Sequence, residues 1–82
     1  MKANEIVKAI MEEQGKSKAQ LGRAVGIPNE KNPTDVINKR LKQDNISVNV
    51  LSEMLAAMGY TLVAVPAGPR LKDGEFEVTI NE

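Results

Sequence analysis

A chain of 82 residues, 41% hydrophobic and 27% charged, has the size and composition of one small folded domain with a core of marginal volume. It contains no cysteine and no histidine, which excludes disulfides, thiolate metal sites and the usual general base. Formal charge is zero, yet residues 16–42 carry seven basic residues against Glu30 and Asp35, so positive charge is concentrated there. A surface polarised in this way can attract and orient a polyanion.

In chain order, Ile6, Val7, Ile10 and Met11 recur at helical spacing and predict a first helix over residues 3–14. Asn4 is the expected cap, and Gly15 supplies the left-handed exit. Glu12 and Glu13 lie off the apolar stripe, adjacent on one surface, and do not form a converging acid–base pair. Ser17 with Gln20 three residues on fits a capping box, so a second helix starts at Lys18. Leu21 and Val25 form its inner face, and Gly26 ends it before Ile27, a buried hinge residue. Residues 28–32 (PNEKN) read as an irregular solvated loop.

Asn32 as cap, Pro33 at the first helical position and Asp35 in the first turn open a third helix, expected over residues 33–43. Val36, Ile37 and Leu41 are its apolar residues, leaving Thr34, Asp35, Asn38, Lys39 and Lys42 on the opposite side. A helix of that kind can lie in a DNA major groove. The Asn38 amide can pair with an adenine edge, Lys39 and Lys42 can donate to guanine or to phosphates, and Thr34 can meet a base with its hydroxyl or methyl. Asp35 has two readings, an acceptor for cytosine or a charge that favours the helix start. Lys16, Ser17 and Lys18 form an expected phosphate clamp, and Lys31 and Asn32 can reach the DNA backbone from the loop. The competing reading of each lysine is an ordinary solvated face.

Ile46 anchors the link that follows, and Ser47 caps a fourth helix over residues 48–58. Val48, Leu51, Met54, Leu55 and Met58 make its core-facing stripe, with the methionines filling an aromatic-poor interior, and Gly59 stops it. From Tyr60 the pattern changes. YTLVAV suggests a strand buried on both faces, and residues 75–80 alternate with Phe76, Val78 and Ile80 on one side. Gly68-Pro69 and Asp73-Gly74 mark the loop and turn between them. Two strands alone are marginal in water, so the expectation is a ribbon that pairs with a second copy, against the alternative of a hairpin folded onto its own helices. The organisation expected is a helical DNA-binding unit over residues 1–59 and dimerising strands over residues 60–82.

Residues 5–66, roughly three-quarters of the chain, resemble the Cro/C1-type (XRE-family) helix-turn-helix domains of phage and bacterial regulators. SKAQLGRAVGI carries the likeness of the second helix and its turn, DVINKRL that of the recognition helix, and NISVNVLSEMLAAMGYTLVAVP that of the closing helix and strand. The resemblance implies a mainly α, lambda-repressor-like bundle of about four to five helices, with no cofactor and a dimer on a pseudo-palindromic operator. It places Thr34, Asp35, Asn38, Lys39 and Lys42 at the bases, and Ser17 and Lys18 at the sugar–phosphate backbone. Gly22 departs from the family's usual alanine, which should loosen the second helix by roughly 1 kcal/mol. The long turn at residues 28–32 is a second departure, and strands in place of the last helix resemble Cro-like members that dimerise through β-structure.

The function expected is therefore a sequence-specific, DNA-binding transcriptional repressor acting as a homodimer on double-stranded DNA. The alternative is an antitoxin or protein-interaction adaptor, with the C-terminal strands holding a protein partner. An enzyme is not expected. No apolar run is long enough to span a bilayer and no secretory pattern opens the sequence, so a cytoplasmic location is the expectation.

Overall fold

The computed structural model describes residues 1–66, 68 and 71–78. Four α-helices form a small bundle: α1 (Ala3–Gln14), α2 (Lys18–Val25), α3 (Pro33–Leu41) and α4 (Val48–Ala57), with one 3-10 turn at Asn29–Lys31. Ile6, Val7, Ile10 and Met11 of α1 meet Leu21 of α2, Ile37 and Leu41 of α3, and Leu51, Met54, Leu55 and Met58 around α4 in one aliphatic core. Val7, Ile10, Leu21, Ile37 and Met54 are wholly removed from water. Met54 and Met58 fill the space between helices, as their flexible thioethers allow.

Local chemistry fixes the helix limits. The Ser17 Oγ accepts from the Gln20 N–H at 3.1 Å, and the Gln20 carboxamide oxygen accepts from the Ser17 N–H at 2.7 Å, completing the expected box. Gly26, at φ 100°, turns the chain out of α2 with its N–H on the Arg23 carbonyl. Asn4 does not cap α1. The helix spans the expected residues 3–14 but is capped at Lys2, whose N–H donates to the Glu5 carboxylate at 2.8 Å, and Asn4 is buried instead. Its amide donates at 3.1 Å to the Leu41 carbonyl, one of the groups that the end of α3 leaves without a helical partner.

Three other expectations change. Residues 28–32 are not irregular throughout, because Asn29–Lys31 close a single 3-10 turn. The third helix stops at Leu41 with Lys42 as its cap, short of residue 43. Val48 opens α4 but is 67% exposed, one position ahead of the turns that face the core.

The largest difference lies after Gly59. No strand forms among the described residues, and the segment from Thr61 to Pro66, expected to be buried on both faces, is exposed throughout. A strand is defined by a neighbour, and one subunit offers this segment no free sheet edge. The tail still turns at Asp73-Gly74, where the Lys72 N–H donates to the Glu75 carboxylate at 2.7 Å. Phe76 packs back on Tyr60 with ring centroids 6.2 Å apart. Val78 is 38% exposed, and Ile80, placed beside it by the alternation, lies outside the described residues.

Gly22 is buried where α2 crosses the start of α3. A Cβ there would sit 2.5 Å from the Pro33 Cβ and 2.9 Å from the Pro33 carbonyl oxygen. The glycine is thus a contact point between helices, not only a weak helix former. Helix propensity alone has Gly22→Ala stabilise by about 1 kcal/mol. The packing reverses that sign: we expect a loss of about 1–3 kcal/mol in urea denaturation, as overfilled contacts cost.

Candidate nucleic-acid interface

The site is built on α3. Pro33, Ile37 and Leu41 recur every four residues and are buried, which sets the inner face of the helix. At 3.6 residues per turn, Thr34, Asp35, Asn38, Lys39 and Lys42 then fall on one continuous outer arc of roughly 140°. Thr34, Asp35, Lys39 and Lys42 are exposed, and Asn38 is half-buried on the flank nearest α2. The sequence-expected set therefore shares one face. Val36 and Arg40 border it on the other flank, both half-buried.

Within the arc the side chains have definite partners. Asp35 and Lys39 form an ion pair at 3.2 Å, one turn apart and largely in water. Such a pair contributes at most a few tenths of a kcal/mol, about 0.3–0.5, so a stronger partner can open it. It also gives Asp35 a third role, that of local counter-charge to Lys39. Arg40, on the border of the arc, bonds the Glu53 carboxylate at 2.8 Å and ties α3 to α4. Lys42 and Lys31 are exposed and have no ion pair or side-chain hydrogen bond among the described residues.

The residues expected at the sugar–phosphate backbone divide. Ser17 sits at the start of α2 with both its hydroxyl and its N–H engaged by Gln20. Lys18 begins the helix and extends across to α3, where its ammonium donates to the Asn38 Oδ1 at 2.7 Å. Lys16 is directed elsewhere: its Nζ lies 3.4 Å from the Ala57 carbonyl. Beside it the Gln14 amide donates to the Met58 carbonyl at 2.8 Å. Together they close the end of α4, which has no basic residue of its own in its last turn. Asn32 is exposed, with its side-chain oxygen accepting from the Asp35 N–H at 3.3 Å.

Lys18 and Asn38, with separate expected roles at phosphate and base, are joined by a contact across 20 positions of the chain. Lys16 and Arg40, two of the seven basic residues in 16–42, are both turned to α4. Lys31, Lys39, Lys42 and Arg23 of α2 remain exposed, and Lys18 is half-buried against Asn38.

A concavity of about 130 Å³ lies where the tail crosses α1 and α4. Ile6, Ile10, Leu51 and Leu55 form its floor, and Leu62 and Phe76 its sides. Among the described residues it brings together no cluster of acidic side chains able to hold a metal. Nor is any helix among them long and apolar enough to cross a membrane. Comparison with protein-family models, with curated proteins and with solved structures returns no match for this chain.

Asn32 holds φ 53°, the only positive value among described residues other than glycine, and serves both as the exit of the 3-10 turn and as the cap of α3. Asn32→Gly keeps the backbone shape and is expected to change stability by no more than about 0.5 kcal/mol. Asn32→Ala loses the acceptor and strains the backbone, with an expected cost of about 1–2 kcal/mol in thermal or urea denaturation.

Proposed function

We propose that this chain is a sequence-specific DNA-binding regulator of helix-turn-helix type, a repressor that lays α3 in the major groove as one half of a homodimer. The observation that carries this reading is the outer arc of α3. Five polar side chains share one accessible face of a helix whose opposite face is locked in the core. Amide, ammonium, hydroxyl and carboxylate groups on one helix face match the donor and acceptor pattern of base edges, which an α-helix can reach only in the major groove. Lys18 at the start of α2 reaches this face, and Lys31 is exposed in the turn that leads into α3, which gives cations for phosphate contacts.

Dimerisation through the tail rests on its exposed aliphatic residues. Leu62, Val63 and Val65 are 36%, 67% and 61% exposed, and Leu71 is 50% exposed. A neighbouring copy that adds its own tail would cover these side chains and supply the backbone partners that a lone extended segment lacks. The same residues support a second reading, in which the tail holds a different protein and the chain acts as an antitoxin or adaptor.

Selection of bound duplexes from a random pool tests the proposal. Wild type is expected to enrich an inverted repeat. Asn38→Ala should lose discrimination at one position of each half-site, by about 1–3 kcal/mol. Binding to random duplex should weaken with salt, its logarithmic slope near −0.9 per phosphate neutralised. An enriched pool without any motif, together with no salt-dependent shift, would reject DNA reading and leave the adaptor.

A further inference from the structure

The 2.7 Å bond between the Lys18 ammonium and the Asn38 Oδ1 changes what the arc can read. An ammonium donates and never accepts, so the amide oxygen of Asn38 must be the atom turned toward α2. The amide nitrogen, a pure donor, is then the end of Asn38 that the ammonium leaves unengaged. An unencumbered asparagine suits adenine because it accepts from the exocyclic amine while it donates to the ring nitrogen. Here one lone pair of that accepting oxygen is already taken by a cation, which stands beside the second. An adenine amine brought to the same place would meet the remaining N–H bonds of the ammonium, donor against donor. Guanine presents two acceptors on its major-groove edge, with no donor between them.

We propose that Lys18 and Asn38 form one donor-only reading unit, directed at guanine, in which Lys18 determines base specificity from the neighbouring helix. The inference rests on the reading of α3 as a DNA-reading helix and makes it more specific. It also replaces the adenine pairing that asparagine alone suggests. Lys18 remains near enough to the start of α2 to meet a phosphate as well, so loss of affinity by itself does not reveal the role. A change in which base is chosen does.

The experiment is duplex selection with wild type, Lys18→Met, Lys18→Gln, Asn38→Ala and the double variant Lys18→Met/Asn38→Ala. Wild type is expected to select guanine at one position of each half-site. Asn38→Ala should flatten that position. Lys18→Met frees the amide oxygen and should move the preference there toward adenine, a change in the base ratio of about 5- to 150-fold, with the other positions kept. The double variant should be no flatter at that position than Asn38→Ala alone. If Lys18→Met binds no duplex, Lys18→Gln decides, since its amide can accept as well as donate. Adenine admitted by Lys18→Gln supports the unit, and guanine held at the wild-type ratio overturns it. A wild-type motif in which Lys18→Met weakens all duplexes alike and leaves the base unchanged also overturns it, while the parent reading survives. A wild-type pool with no motif removes the parent reading itself.

Discussion

The contact of Gly22 with Pro33 is the constraint on which the outer surface depends. Where α2 meets α3 there is no room for a methyl group, and the two backbones come as close as a missing side chain allows. Proline suits the other side of that contact. A buried first residue of a helix would ordinarily leave an N–H without a partner, and proline has none to leave. The pair thus closes the junction without an unsatisfied polar group. Its consequence reaches outward, because only helices held this near let a lysine at the start of α2 touch an asparagine in the middle of α3.

The other ends of the helices are closed from a distance. Asn4 of α1 takes a carbonyl at the end of α3, while Gln14 and Lys16 take two at the end of α4. In each case a polar side chain replaces the water that a helix terminus would otherwise require. These bonds brace the frame and draw on the same residues that give the segment its positive charge. Lys16 and Arg40 hold helices together, and Lys39 is partly neutralised by Asp35. The exposed cations are therefore fewer than the sequence excess implies: Arg23, Lys31, Lys39 and Lys42, with Lys18 half-buried beside Asn38.

Signals that act over a few residues were legible in the sequence. The capping box at Ser17 and Gln20, the exits at Gly15 and Gly26, and the cap at Asn32 each need only neighbours along the chain, and each is present. The apolar stripes placed the core and, by subtraction, the polar arc of α3. What escaped has its cause in tertiary contact. Asn4 reads as a cap because asparagine favours caps, until a carbonyl 37 positions away claims it. Gly22 reads as a weak point in a helix, since nothing local reveals Pro33 beside it. Lys18 and Asn38 carry no mark of each other.

The tail shows the same limit from the other side. Alternating aliphatic residues state what a segment would bury as a strand, and they leave the identity of the neighbour unspecified. Within one subunit the aromatic contact of Tyr60 with Phe76 anchors the tail, and a terminal ammonium at Met1 donates to the Glu77 carbonyl at 3.1 Å. Neither contact covers Val63 or Val65. The β-pattern and the exposure agree if the partner edge belongs to another chain, because the backbone groups of an extended segment need either water or a second strand. A dimer formed there would carry two copies of α3. Their spacing would then be set by the path of the chain from Gly59 into the tail, and not by α3 itself.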